Sequence, residues 1–195
     1  MKLCGLTGGV GMGKSTAAGF LLQAGAKVVD TDVIAREIVQ PGQPALKEIE
    51  QAFGPDIISP QGELKRDQLA NLVFADPAAR QRLEAILHPR IRAQWHAQVE
   101  QWRHEQCPLA VVVIPLLFET QAEAEFDKIL CVACSPGEQL ARLRTRGWTE
   151  TQSRQRIASQ LPVDQKIARS NYVTWTEGSP SVHQAQITRI LAQIR

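Results

Sequence analysis

The feature that most constrains this sequence is a glycine-rich segment near its start, residues 8–15, which reads GGVGMGKS. It fits the pattern G-x-x-x-x-G-K-[ST] in full, between a short apolar run and a segment of helical character. Glycines allow the backbone to approach a phosphate closely, and the following helix N-terminus favours an anion. The segment therefore predicts a phosphate-binding loop, or P-loop, in a nucleotide-binding protein.

The motif also predicts a role for its polar residues. Lys14 is expected to reach the β- and γ-phosphates, and the Ser15 hydroxyl to ligate Mg²⁺. The same stretch does not satisfy G-x-G-x-x-G, because Lys14 or Thr16 occupies the last position, so dinucleotide binding is disfavoured. The predicted nucleotide-binding residues of the loop are Gly9, Val10, Gly11, Met12, Gly13, Lys14, Ser15 and Thr16.

The rest of the chain alternates short apolar runs with helical segments. This order predicts an α/β fold with a five-stranded parallel sheet between helices on both faces, the three-layer α/β/α form of a P-loop NTPase. The predicted strands are residues 3–7, 27–30, 109–114, 128–133 and 171–175. A largely helical block from about 43 to 106 interrupts the alternation and predicts an inserted helical subdomain.

Composition narrows the function classes. The 195 residues include 44% hydrophobic and 22% charged residues, which suits one folded domain. The net charge is +2, and the sequence contains no cluster of basic residues, so neither a nucleic acid nor a membrane is an expected partner. No apolar run is long enough to cross a bilayer, no signal peptide is recognised, and four cysteines do not suggest a disulfide framework. A cytoplasmic protein with reduced thiols is expected.

Three classes of P-loop protein compete at this point. A GTPase switch needs D-x-x-G and N/T-K-x-D segments, and the sequence contains neither. A motor or AAA-type ATPase usually has an acidic residue at the end of the strand beside the P-loop strand. Here that strand runs into Pro115, and the first acid is Glu119. A small-molecule kinase fits better, because it needs about this length, an inserted acceptor-binding subdomain and an arginine-rich lid.

The core is then expected over about 1–40, 107–135 and 165–195, the acceptor-binding subdomain over 41–106 and the lid over 136–164.

Two aspartates follow the second predicted strand. The carboxyl ends of parallel strands face the ligand crevice, and a kinase for a hydroxyl acceptor needs a carboxylate there to accept its proton. Asp32 is the better candidate for that base, because Asp30 closes the strand. The alternative is that Thr31 or Asp32 simply caps the next helix.

The predicted lid holds five arginines: Arg142, Arg144, Arg146, Arg154 and Arg156. Guanidinium groups suit the charge of a phosphoryl group in transfer, although the alternative is a solvated helix face. Arg142 and Arg146 are four residues apart and are expected to face the phosphates together.

Other polar residues carry weaker signals. Cys131 and Cys134 have C-x-x-C spacing but lie on a predicted buried strand, so buried thiols are expected. His88 precedes Pro89 and is expected to start a helix. His183 is expected to be a solvated helix residue, as are His96 and His104. Trp95 and Trp102 lie on one helical stripe and are expected in the core.

These motifs, in this order and spacing, resemble the dephospho-CoA kinase family over nearly the whole chain. The segments that carry the resemblance are GLTGGVGMGKST at 5–16, VDTD at 29–32 with IAR at 34–36, FG at 53–54, LE at 83–84, HPRI at 88–91, PLLFE at 115–119, FD at 126–127, QL at 139–140 with Arg142 and Arg146, RI at 156–157, and QLP at 160–162 with Lys166.

The resemblance implies a single kinase domain over residues 1–195. Its reaction would move the γ-phosphate of ATP to the ribose 3′-hydroxyl of dephospho-CoA, giving CoA and ADP. Mg²⁺ is the expected metal ion. The protein is expected to be a monomer or a weak homo-oligomer. Carried over by motif position, the catalytic residues are Asp32 as general base, Lys14 as phosphate clamp and Arg142 as a lid residue. Arg146 would bind the nucleotide. The acceptor side would be formed by Thr7, Asp32, Arg36, His88, Pro115, Leu116 and Leu117.

Two places depart from the family pattern. Met12 replaces a small residue, and its side chain is expected to point outward. Ser170 and Asn171 precede the last strand, and residues 176–178 follow it, where the family has other residues. That second loop is expected to lie near the adenine.

Two other functions stay open at this point: a kinase for another small hydroxyl acceptor such as a nucleoside, and a nucleotide-binding regulatory module without turnover.

Overall fold

The computed structural model describes residues 1–194. It divides into two compact units: one holds residues 1–30 and those from 101 onward, and the other is Thr31–Glu100. The helical unit thus begins ten residues earlier than the block at 41–106 that the sequence suggested. None of the helices over 1–194 is long and apolar enough to cross a membrane.

A five-stranded, all-parallel sheet forms the centre of the first unit. Its strands are β1 (Lys2–Gly8), β2 (Lys27–Asp30), β3 (Leu109–Val113), β4 (Lys128–Ala133) and β5 (Tyr172–Trp175). Their order across the sheet is β2-β3-β1-β4-β5, so the strand that leads into the P-loop lies at the centre. The predicted fold class is confirmed, and the five apolar runs are the five strands.

Helices cover both faces of this sheet. The helices of this unit are α1 (Lys14–Gln23), α6 (Pro136–Thr145), α7 (Glu150–Ala158), α8 (Val163–Ala168) and α9 (Pro180–Ile194). On one face, Leu6 and Val111 pack against Leu21 of α1 and Ile187 of α9. On the other face, a Cβ at Gly5 would lie 2.6 Å from Leu117, which shows how closely that layer packs.

The second unit is built from helices. It holds α2 (Thr31–Glu37), α3 (Pro44–Phe53), a 3-10 turn (Pro55–Ile57), α4 (Arg66–Ala75) and most of α5 (Pro77–His104). Its core contains Val39, Ile49, Ile57 and Leu69. Trp95 on α5 is buried, as is Trp102 farther along the same helix, so the prediction of a core stripe is confirmed.

Two predicted helix boundaries are wrong. β2 runs directly into α2, which begins at Thr31, so Thr31 and Asp32 are the first residues of the helix rather than its cap. His88 does not start a helix, because α5 continues through Pro89. The Arg90 guanidinium donates a hydrogen bond to the Ile86 carbonyl (2.6 Å), which is next to the Ala85 carbonyl that loses its helical donor at Pro89.

Candidate active site

The P-loop connects the central strand to the first helix. Gly13 precedes α1 with φ 96° and ψ 20°, a left-handed conformation that residues with a Cβ disfavour. A Cβ at Gly8 would lie 2.3 Å from the carbonyl oxygen of Val132 on the neighbouring strand. The backbone path of the loop therefore requires glycine at both positions.

The Lys14 side chain folds over this loop. Its Nζ donates hydrogen bonds to the carbonyl oxygens of Gly8 (2.8 Å) and Gly9 (3.0 Å). Ser15 and Thr16 are exposed in the first turn of α1, where backbone N–H groups have no helical acceptor. An ammonium group, a helix N-terminus and an exposed hydroxyl meet here, and together they suit a phosphate chain.

A pocket of about 420 Å³ opens beside the loop. Three parts of the first unit line it: the P-loop, the end of α6 and the connection from β5 to α9. The lining residues are Gly11, Gly13, Thr16, Arg142, Thr145, Arg146, Thr176, Gly178, Ser179, Pro180 and His183. The loop at 176–178, Arg142 and Arg146 thus lie at one pocket with the P-loop.

Arg142 is held in place within this pocket by three hydrogen bonds. Its Nη1 donates to the Thr176 hydroxyl (2.7 Å), its Nη2 to the Thr176 carbonyl (2.6 Å) and its Nε to Glu138 (2.8 Å). The Thr176 hydroxyl in turn donates to the Met12 carbonyl (2.9 Å). A continuous chain of hydrogen bonds therefore joins α6, the loop after β5 and the P-loop.

The other three arginines of the predicted lid do not line this pocket. Arg154 pairs with Glu150 on the exposed surface of α7, with Nη2 2.7 Å from the carboxylate. Arg156 lies over the Trp148 ring at 4.8 Å from its centroid. Arg144 is exposed on α6. These three match the solvated-face alternative.

The Met12 side chain is buried, so the prediction that it points outward is wrong. Its sulfur would lie 2.9 Å from a Cβ at Gly9, which means that the thioether fills the space left by that glycine. A flexible, unbranched side chain can occupy such a gap within the loop. The loop backbone keeps its path because Met12 packs inside the turn.

Pro115 follows β3, the sheet neighbour of β1, and its carbonyl accepts two hydrogen bonds. The Thr7 hydroxyl donates at 3.3 Å, and the fully buried Lys166 donates through Nζ at 2.7 Å. Lys166 also pairs with Glu119 at 2.8 Å. The structure therefore brings the predicted residues Thr7 and Pro115 together. It adds an ion pair between the buried Lys166 and Glu119 that sequence reasoning did not assign. The only signal was the place of Glu119 and Lys166 among the resembling motifs.

Leu117 differs from the expectation that it lines the acceptor side. Its side chain is fully buried in the sheet unit and packs at Gly5. Pro115 and Leu116 are half-buried and keep part of their surface accessible. Of the three residues in this turn, Leu117 is therefore a core residue.

The remaining predicted acceptor residues lie in the helical unit. Asp32 is the second residue of α2 and is exposed. Arg36 is also exposed and follows four residues later, so the two side chains share one face of the helix. His88 is exposed in the middle of α5.

The four cysteines are free and buried, and the predicted burial of Cys131 and Cys134 is confirmed. Burial raises the pKa of Cys4 to about 12 and that of Cys131 to about 11, although the charges of Lys166 and Lys14 oppose the increase at Cys131. Thiols with such pKa values stay protonated and unreactive near neutral pH. Across residues 1–194, no group of three or more His, Cys, Asp or Glu residues is placed to hold a metal ion.

His183 is buried, contrary to the prediction of a solvated residue. Its ring packs edge-to-face on Phe20 of α1, with centroids 5.3 Å apart. Burial, with a smaller contribution from the Arg142 charge, lowers the pKa of His183. Periodicity alone missed this position because Gln184 and His183 both look polar while only one faces α1.

Comparisons with known proteins agree with this geometry. Residues 2–180 match the model of a family described as dephospho-CoA kinase. The chain belongs to the dephospho-CoA kinase family. Enzymes of this family phosphorylate dephospho-CoA to make CoA, which is the last step of CoA biosynthesis.

Individual dephospho-CoA kinases and solved structures resemble the chain over its full length. The dephospho-CoA kinase of Anaeromyxobacter dehalogenans is 42% identical over 196 residues, covering 100% of this chain and 93% of that protein. A crystal structure from Thermus thermophilus has a TM-score of 0.85 at 31% identity, covering 100% of this chain and 98% of the other. The dephospho-CoA kinase structure from Campylobacter jejuni shares the fold, with a TM-score of 0.73 at 24% identity and coverage of 100% and 98%.

Proposed function

We propose that this chain transfers the γ-phosphate of ATP to the ribose 3′-hydroxyl of dephospho-CoA, giving CoA and ADP. The observation that carries the proposal is the pocket at which the P-loop, Arg142 and Arg146 meet, in a chain of this family. Family membership favours dephospho-CoA over a nucleoside as the acceptor. It also favours a catalytically active kinase rather than a regulatory module without turnover.

The P-loop and Lys14 form the donor side of the proposed site. The backbone N–H groups of residues 11–16 would hold the β- and γ-phosphates, and the Lys14 ammonium would exchange the carbonyls of Gly8 and Gly9 for phosphate oxygens. The ATP base would lie toward Gly178, in the part of the pocket formed by the β5–α9 connection.

Mg²⁺ fits the donor side. Ser15 offers a hard oxygen ligand at the start of α1, and the phosphates and water would provide the other ligands. When bound, the ion would neutralise charge on the β- and γ-phosphates.

Asp32 is the proposed general base of the acceptor side. It lies two residues beyond the carboxyl end of β2, the edge of a parallel sheet at which ligands bind. Its carboxylate would orient the 3′-hydroxyl and accept its proton. Arg36 and His88 would contact the acceptor, as would Thr7 and the turn of Pro115 and Leu116.

The lid arginines would act on the phosphates in transfer. Arg146 and Arg142 line the same pocket, and positive charge there would stabilise the transferring phosphoryl group. Closure of residues 136–164 would exclude water and limit ATP hydrolysis.

We further propose a cytoplasmic enzyme that works as a monomer or weak homo-oligomer, with ATP and dephospho-CoA rather than nucleic acid or membrane as its partners.

A coupled assay of ADP release tests the proposal. With Mg-ATP, we expect turnover that depends on dephospho-CoA and that a nucleoside neither supports nor inhibits. ADP release without any acceptor would indicate an ATPase instead. ATP binding without turnover, in a protein shown to be folded, would indicate a regulatory module.

A further inference from the structure

Val10, in the P-loop, is hydrogen-bonded on both sides of its backbone by glutamine side chains. Its N–H donates to Oε1 of Gln160 at 2.8 Å, and its carbonyl accepts from Nε2 of Gln139 at 2.7 Å. Both distances are short for neutral amide hydrogen bonds. The side-chain amides thus replace the backbone partners that a loop residue lacks.

The two glutamines lie at the two ends of the proposed lid. Gln139 is in the first turns of α6, and its side chain is buried. Gln160 lies in the short connection between α7 and α8. Residues 140–159 therefore begin and end next to Val10.

The connection at Gln160 is itself anchored. The N–H of Leu161 donates to Oε1 of Glu119 at 2.8 Å, and Glu119 pairs with the buried Lys166. On the other side, the Gln139 backbone lies close to the P-loop, because a Cβ at Gly11 would meet its carbonyl at 3.4 Å. Each glutamine segment thus has a second contact with the first unit, and each glutamine can hold Val10 in place.

We propose that Gln139 and Gln160 are positioning residues that hold Val10 and so keep the P-loop in the shape that receives the nucleotide phosphates. Because Gln160 already takes the Val10 N–H, that amide is not among the donors left for phosphate. This inference rests on the proposed function, since it assumes that the loop binds ATP.

The opposite polarity of the two hydrogen bonds gives a charge-matched test. Gln160→Glu keeps an acceptor for the Val10 N–H, whereas Gln139→Glu removes the donor that the Val10 carbonyl requires. Both substitutions add one negative charge next to the same residue, so comparing them cancels the electrostatic effect on ATP. Gln139→Met and Gln160→Met remove each hydrogen bond without adding charge.

The readouts are ADP affinity by calorimetry, and the KM for ATP against the KM for dephospho-CoA. We expect Gln139→Glu to bind ADP about tenfold more weakly than Gln160→Glu, and each Met variant to lose about tenfold relative to the starting protein. The KM for ATP should rise with these losses, and the KM for dephospho-CoA should not. Gln155→Glu and Gln155→Met, on the exposed face of α7, are the matched controls and should change neither.

Equal ADP affinities for the two Glu variants would overturn the proposal, as would parallel increases in both KM values. If Gln139→Glu fails to fold, the comparison of Gln160→Met with Gln160→Glu decides, because only the former loses the hydrogen bond. Lys14→Ala separates this inference from the proposed function. If Lys14→Ala weakens ADP binding and the glutamine variants do not, only the positioning role is contradicted. If Lys14→Ala leaves ADP affinity unchanged, the proposed nucleotide site itself is contradicted.

Discussion

Lys14 and Asp32 are the single residues on which the proposed chemistry most depends. They lie in different units, one at the start of α1 and the other at the start of α2. Lys14 is assigned to the donor phosphates and Asp32 to the acceptor hydroxyl. Substituting each one should therefore affect different kinetic parameters.

Lys14→Ala should lower kcat/KM for ATP by about 100-fold or more, because it removes a positioned positive charge from the transferring phosphoryl group. Its melting temperature should stay near that of the starting protein, since the carbonyls of Gly8 and Gly9 can bond water instead. Lys47→Ala, at an exposed position on α3, is the control. Steady-state kinetics that are unchanged by Lys14→Ala would contradict the assignment.

Asp32→Asn should lower kcat by about 100-fold or more while the KM for ATP stays the same, because the amide cannot accept the hydroxyl proton. Asp67 offers a matched control, since it is also exposed and also the second residue of a helix, α4. Asp67→Asn should keep full activity. Normal turnover by folded Asp32→Asn enzyme would exclude Asp32 as the base.

At the level of helices and strands, α8 secures the turn after β3. Lys166 is fully buried, and its Nζ bonds both Pro115 and Glu119. A buried lysine needs this compensation, because an isolated buried charge is costly. Removing the lysine leaves the Glu119 carboxylate and the Pro115 carbonyl without that donor.

Lys166→Met should lower the free energy of unfolding by about 3 kcal/mol. The exposed pair of Arg154 and Glu150 provides the comparison, because Arg154→Met should change it by less than about 1 kcal/mol. Urea denaturation of the two variants measures both values. Equal losses would show that the buried pair does not stabilise this part of the fold.

The contact between α9 and α1 predicts a dependence of stability on pH. Because the pKa of His183 is lowered in the folded protein, the unfolded chain binds more protons below the ordinary histidine value of 6.5. The free energy of unfolding should therefore fall as the pH decreases through 6.5 toward the folded-state pKa. In His183→Leu that part of the dependence should disappear, and denaturation at a series of pH values measures it. A His183→Leu profile parallel to that of the starting protein would contradict the account.

For the molecule as a whole, the sequence was sufficient to predict the sheet and the donor loop but not the contacts that organise them. The runs at 109–114 and 129–133 are apolar throughout, and this pattern predicts strands that are buried on both faces. The P-loop motif is local, and its glycines and lysine predict a phosphate-binding loop at this position. These features require no knowledge of distant residues.

The features that were missed depend on partners far along the chain or on how a side chain packs. Helix α5 continues through Pro89 although an internal proline usually interrupts a helix, and the position of Met12 depends on the space over Gly9. The buried Lys166 is stabilised by Glu119, 47 residues away. No local pattern contains such information.

Product analysis of the reaction distinguishes phosphate transfer to dephospho-CoA from ATP hydrolysis. After incubation with Mg-ATP and dephospho-CoA, mass spectrometry and phosphorus NMR would determine how many phosphates were added and to which ribose hydroxyl. The account predicts a single phosphate on the 3′-hydroxyl, one ADP released for each product molecule, and loss of this product in Asp32→Asn. Unchanged dephospho-CoA alongside released ADP, or a phosphate at any other position, would contradict it.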